Sequence, residues 1–304
     1  MNGILNIYKP KGITSFSAVA RIKKFTGENR IGHAGTLDPL ATGVLPLLLG
    51  KAACIQDLLS NHDKTYVAGV RLGTVTDTGD VTGNVISETG KSVTAPEFEK
   101  VLSEFVGKQK QIPPMYSAIQ VDGKRLYDLA RRGIEVERQA RDIEIYSARL
   151  VSQENETDFQ IEVSCSKGTY IRTLCEDIGQ KLGTGACMYS LERTVCGRFS
   201  KEDSVSLDEL EEYFKNGQPE KIEEKLLNPE SIFSDLKKVY LPEFYSNLCI
   251  NGCEIYIKKA RVDAKLFEDG AMCRIYTNDK RFIGPGYLHD FPNGKAIKIK
   301  YRFI

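Results

Sequence analysis

The segment richest in potential chemistry spans residues 32–46, Gly-His-Ala-Gly-Thr-Leu-Asp-Pro-Leu-Ala-Thr-Gly-Val-Leu-Pro. Three glycines and two prolines in fifteen residues make a shaped loop, and loops held by rigid elements commonly carry function. Asp38 sits inside it, and Pro39 biases Asp38 toward extended or turn backbone. Such an aspartate can cap a following helix, or present its carboxylate as nucleophile, base or metal ligand. No second acidic residue lies close by in sequence, which speaks against a metal. A second dense segment covers residues 165–174, Cys-Ser-Lys-Gly-Thr-Tyr-Ile-Arg-Thr-Leu. Gly168-Thr169 can start a helix there, with Tyr170 and Arg172 in its first turn. The helix dipole opposes a cation at that end, so Arg172 calls for a carboxylate, and Asp38 would serve. The pairing would hold the carboxylate ionised and oriented; a surface arginine with an incidental partner is the plainer alternative.

Other candidate motifs fail on spacing. Gly43 and Gly50-Lys51 stand too far apart for a phosphate loop, and Ala52 replaces the required Ser or Thr. Gly183-Thr-Gly185 lacks the third glycine of a dinucleotide fingerprint. Asp77-Thr-Gly-Asp80 reads as a polar turn without calcium-loop spacing. The eight cysteines form no CxxC pair and the three histidines are scattered, so no zinc ligand set is present. Buried free thiols are the expectation.

Periodicity indicates the elements that must position these residues. Residues 3–8 read as a strand, 15–24 as an amphipathic helix capped near Thr14/Ser15, and 51–59 as a helix. Residues 64–72 alternate as a strand with Tyr66, Ala68 and Val70 on one face. Residues 96–106 predict a helix, 141–150 and 159–165 neighbouring strands, and 170–182 a helix closed by Gly183. This irregular alternation predicts an α+β fold.

The chain has 304 residues, 41% hydrophobic, with 42 Lys+Arg against 41 Asp+Glu. That composition excludes a disordered or fibrous chain, and the length suits one large domain or two smaller ones. The N-terminus lacks a secretory pattern. The most apolar run, residues 44–49, contains Pro46 and falls far short of the ~20 needed to span a bilayer. A cytoplasmic protein with reduced thiols is expected. The near-zero net charge conceals an uneven distribution. Residues 1–60 hold seven basic and three acidic positions, 201–239 six and eleven, and 254–304 eleven and six. Residues 124–132 carry four cations and one anion around Tyr127. Such patches suit a phosphate backbone and exposed bases, or form an ordinary solvated face. The composition shift sets a domain boundary near residue 238, with domains 1–238 and 239–304.

The ordered motifs resemble the TruB family of tRNA pseudouridine-55 synthases. They are residues 6–15 (Asn-Ile-Tyr-Lys-Pro-Lys-Gly-Ile-Thr-Ser), the 32–46 loop, Lys64-Thr-Tyr66, Asp77-Thr-Gly-Asp80, Pro113-Pro-Met-Tyr-Ser-Ala118, residues 123–133 and Ser166-Lys-Gly-Thr-Tyr-Ile-Arg-Thr173. The tail resembles a PUA-like RNA-binding module, with Asn251-Gly252 its clearest trace.

The resemblance implies a catalytic domain built on a mixed, mainly antiparallel sheet with flanking helices, followed by a small β-rich PUA-like domain. It implies isomerisation of the T-loop uridine of tRNA through a covalent adduct with Asp38, the base being flipped out of the loop. Tyr66 would stack on the base and is a candidate to remove its proton. Arg172 would pair with Asp38, and Tyr170 and Leu191 would line the uridine pocket. His33 would hold the loop open as the base flips, and Lys9 would support the loop or contact RNA. The chemistry implies no metal or organic cofactor. The implied partner is the tRNA T-arm, with no membrane, no obligatory protein partner and a monomeric chain. A tRNA-binding or tRNA-folding protein with secondary catalysis, and a guide-RNA-dependent relative, are the alternatives. One departure stands out: Cys187 and Glu192 occupy positions where the family usually shows histidine and arginine, which puts RNA contacts from this segment in question.

Overall fold

The computed structural model describes residues 1–121, 123–262 and 268–304. Its centre is the strand Thr42–Leu49, buried along nearly its whole length. Alternation sends Leu45, Leu47 and Leu49 into one apolar cluster and Val44 and Leu48 into another. A strand covered on both faces reads as a continuous hydrophobic run, which is why residues 44–49 are so apolar. Around it the main sheet runs in the order Val205–Ser206, Gly3–Lys9, Thr42–Leu49, Ala186–Cys196, Lys64–Leu72, Asp158–Cys165, Arg141–Gln153 and Gly107–Gln111. Ile31–His33 and Phe199–Ser200 pair off this path. Gly3–Lys9 pairs parallel with Val205–Ser206, and Thr42–Leu49 with Ala186–Cys196; the other pairings are antiparallel.

Helices Ser15–Thr26, Ala95–Ser103, Ile171–Leu182, Leu207–Lys215 and Pro219–Glu224 deliver apolar residues to one shared cluster. Ala18, Ile22, Phe98, Leu174, Ile178 and Leu210 meet Leu5, Ile7, Ala68 and Val70 there, and Phe98 stacks on Phe159 at 4.3 Å between centroids. The arrangement is α+β, as the alternation predicts. Thr14 caps the first helix, its hydroxyl accepting from the Ser17 amide at 2.9 Å.

Some boundaries differ from expectation. Residues 51–59 divide into a 3-10 turn, Gly50–Ile55, and a short helix, Gln56–Ser60; the Asn2 side chain takes the Ala52 amide at 3.2 Å and favours the tighter turn at that end. The helix begun at Ala95 stops at Ser103, because the chain must turn through Gly107 (φ 114) into the next strand. Tyr170 caps the Ile171–Leu182 helix in extended backbone and does not lie in its first turn. The Gln111 side chain explains this, since it accepts from the Tyr170 amide at 2.8 Å and donates to its carbonyl at 3.0 Å. Six of the eight free thiols are buried, whereas Cys54 is half-buried and Cys253 exposed.

A second sheet, in the order Lys237–Leu241, Met272–Thr277, Phe282–Phe291, Gly294–Ile299 and Ile255–Tyr256, has its own core around Leu241, Cys249, Ile275 and Ile297. Rings of Phe282, Tyr301 and Phe303 pack against Phe233 and the far-face cluster of Ile4, Val44 and Leu48. Among the described residues no helix is long and apolar enough to cross a membrane.

Candidate active site

The loop that carries Asp38 is held from three directions. Ser15, fully inside at the start of its helix, donates its hydroxyl to the Leu37 carbonyl at 3.1 Å and accepts from the Leu37 amide at 2.8 Å. Gly12 donates its amide to the Pro39 carbonyl at 2.8 Å. The Ala34 amide bonds to Pro46 across the loop base at 2.9 Å. The segment Lys9–Ser15, one of the sequence motifs, thus acts as a bracket for the residues flanking the carboxylate.

Arg172 meets Asp38 with Nη2 to Oδ2 at 3.1 Å. The arginine side chain is 7% exposed and the aspartate 39%, so the carboxylate is open on one side while its partner is sealed. Arg172 also donates to the carbonyls of Thr78 at 3.1 Å and Tyr116 at 2.7 Å, and its Nε lies 4.0 Å from Asp80. A guanidinium with its donor fork occupied cannot rotate away. Asp80 is itself buried and fixed by the amide of Thr82 at 2.9 Å and the hydroxyl of Thr78 at 3.1 Å. By residue type alone Asp77-Thr-Gly-Asp80 is a polar turn; its contact with Arg172 needs the 91 residues between them to fold back.

Tyr66 lies on the Lys64–Leu72 strand, on the face shared with Ala68 and Val70. Burial pushes its phenol up to about 12, an effect the neighbouring Arg193 opposes. His33 ends the Ile31–His33 strand, and burial together with Arg193 lowers its affinity for a proton; its Nδ1 is buried without a hydrogen-bond partner. Lys9 is fully buried and donates to the carbonyls of Pro10 at 2.9 Å and Ile13 at 2.8 Å, which closes the bracket segment. Burial lowers its ammonium to about 8, with Asp38 pulling the other way. Leu191 packs half-buried against the main core, on the strand next to Tyr66. Tyr170 is half-buried, clamped by Gln111 as described, and burial raises its phenol. The structure therefore joins Asp38 directly to Arg172, and Lys9 and Tyr170 feel the Asp38 charge.

Glu192 does not point free into this surface. It accepts from the Tyr8 hydroxyl at 2.6 Å and pairs with Lys201 at 2.7 Å. The guanidinium groups of Arg125 and Arg131 lie over the Tyr127 ring, 5.8 and 5.6 Å from its centre. Among the described residues no three His, Cys, Asp or Glu side chains gather as metal ligands.

A carboxylate on a braced loop, held by a sealed arginine and open on one side, can act as a nucleophile or a base. Comparison with known proteins narrows it to the pseudouridylate synthases. The model for the TruB family pseudouridylate synthase N-terminal domain matches residues 23–171, and that for the tRNA pseudouridylate synthase B C-terminal domain matches residues 172–234. The tRNA pseudouridine synthase B of Clostridium tetani is 45% identical over 287 residues, covering 94% of this chain and 95% of that protein. The corresponding protein of Azoarcus sp. is 43% identical over 256 residues, covering 84% and 83%. A chain from a solved Cbf5-Nop10-Gar1 complex superposes with a TM-score of 0.71 at 26% identity, covering 99% of this chain and 85% of that one. The chain belongs to the TruB family.

Proposed function

We propose that this enzyme isomerises uridine to pseudouridine in the T-loop of tRNA, at position 55, with Asp38 as the residue that forms the covalent adduct. The observation that carries the assignment of Asp38 is its 3.1 Å pairing with the sealed Arg172 on a braced loop, in a chain of this family. The carboxylate attacks the ribose or the base of the flipped nucleotide, the N1–C1′ bond breaks, and the uracil turns within the site. C5 then bonds to C1′ as the bond to the Asp38 carboxylate breaks, N1 gains a proton and the C5 proton leaves; Tyr66 is the residue proposed to remove it, its phenol giving up its own proton as it takes this one. One carboxylate with a stacking aromatic suits retention of the base, whereas a hydrolase needs a carboxylate pair and a water. Arg172 orients Asp38; Tyr170 and Leu191 line the uridine pocket; His33 supports the open loop; Lys9 holds the bracket beneath it.

Residues 1–238 form the catalytic unit in this reading and 239–304 a PUA-like RNA-binding unit, the boundary at 238 falling inside the Lys237–Leu241 strand of the second sheet. The basic positions of residues 1–60 other than the buried Lys9, with those of 124–132, meet stem phosphates in this reading. Extruding the base costs a few kcal/mol, offset by stacking on Tyr66. The chain acts alone, as a cytoplasmic monomer, without cofactor. The purified protein is therefore expected to release tritium from C5-labelled tRNA transcript, and Asp38→Asn to abolish release while the circular dichroism spectrum stays unchanged. Full release by Asp38→Asn would overturn the mechanism; no release by the wild-type chain without added proteins would overturn the stand-alone reading.

A further inference from the structure

Arg193 is the largest fully buried side chain among the described residues, at 1% exposure. Among those residues no carboxylate pairs with it; its Nε donates to the Val44 carbonyl at 2.8 Å and its Nη2 to the Gly35 carbonyl at 3.1 Å. An unpaired guanidinium is costly to bury, and an apolar side chain of similar volume would serve stability better. The two carbonyls it holds are the two ends of the loop that carries Asp38. In the sheet, its strand neighbours are Tyr66 on one side and Gly43 on the other.

The surrounding backbone is fitted to this residue. Gly35 has φ +85, and a Cβ there would stand 3.3 Å from Arg193 Nη1. Gly43 has φ +108, and a Cβ there would run into the Arg193 backbone. Gly35 therefore leaves room for the guanidinium, while Gly43 lets the far end of the loop lie directly against the Arg193 backbone. Its charge also reaches the phenol of Tyr66, the imidazole of His33 and the ammonium of Lys9.

We propose that Arg193 is a positioning residue for the isomerisation: it staples both ends of the Asp38 loop to the strand beside Tyr66, so that nucleophile and phenol are set as one unit. The proposal rests on the roles given above to Asp38 and Tyr66. A misplacement of about 1 Å can cost on the order of 100-fold in rate, and that is the effect of losing the staple. Arg193→Met removes the charge and both hydrogen bonds; Arg193→Lys keeps the charge and can reach one carbonyl.

The test measures kcat and KM for a full-length tRNA transcript by tritium release, with thermal unfolding of each variant. Arg193→Met is expected to lose about 100-fold in kcat with KM within about threefold of wild type, and Arg193→Lys to recover about tenfold of that loss. A folded Arg193→Met with wild-type kcat overturns the proposal. So does a raised KM with kcat unchanged, which would make Arg193 an RNA contact. Should Arg193→Met fail to fold, Arg193→Lys decides, since a wild-type kcat in that variant overturns the staple. Failure of the underlying reading registers separately, as full activity in Asp38→Asn run alongside.

Discussion

Around Asp38 the cations differ in what they hold. Arg172 faces a carboxylate, whereas Lys9 and Arg193 hold backbone carbonyls. Lys9 is the clearest consequence of that difference. Burial lowers its ammonium from 10.5 to about 8, so the folded state releases a proton that the unfolded chain still binds between those pH values. Below pH 8 both states are protonated and the burial penalty is present in full. As pH rises from about 8 to 10.5 the penalty fades, by up to about 3 kcal/mol. Wild type should therefore gain stability relative to Lys9→Met across that window, in paired urea titrations at pH 7 and pH 10. A difference that stays flat with pH would show that Lys9 is not held in this way. Asp38 was legible in the sequence because glycine and proline mark a shaped loop around one carboxylate. Asp80 was not, because a buried role for an Asp-Thr-Gly-Asp turn depends on a guanidinium far along the chain.

At the scale of elements, the strand pattern was readable and the ends were not. The 64–72 strand with Tyr66, Ala68 and Val70 on one face follows from alternation alone. The end of the 96–106 helix and the cap at Tyr170 follow from Gly107 and from the Gln111 side chain, neither of which periodicity contains. The parallel contact between Thr42–Leu49 and Ala186–Cys196 is the tightest of these features, since Gly43 lies directly against Arg193. Gly43→Ala adds a Cβ at φ +108 where the Arg193 backbone already stands. It is expected to cost about 3 kcal/mol by chemical denaturation. A stability within 0.5 kcal/mol of wild type, roughly the range of ordinary surface changes, would contradict that close approach.

For the whole molecule, the two sheets meet through aromatic rings. Phe233 is 4% exposed and lies 6.3 Å, centroid to centroid, from both Phe282 and Phe303. Arg274 adds bonds to the carbonyls of Leu236 and Ser234, both at 2.9 Å, and the Tyr276 hydroxyl donates to Glu230 at 2.6 Å. Phe233→Ala should destabilise the protein by about 3 kcal/mol. Because its ring serves both bodies, calorimetry of wild type should show one transition, separating into two in the variant. Two transitions already present in wild type would mean the sheets unfold independently.

By itself, the sequence determined the α+β class, the carboxylate on its glycine-rich loop, the arginine it needs and the basic flanks hidden by a net charge of +1. These are local matters of residue type, spacing and periodicity, and each acts over a few residues of chain. The tertiary structure alone decided that Ser15 and Gly12 brace the loop, that Asp80 stands behind Arg172, and that Arg193 lies beneath Gly35 and Val44. Those contacts join segments as much as 158 residues apart. Their partners are largely backbone carbonyls, which every residue carries, so no pattern of side chains could announce them.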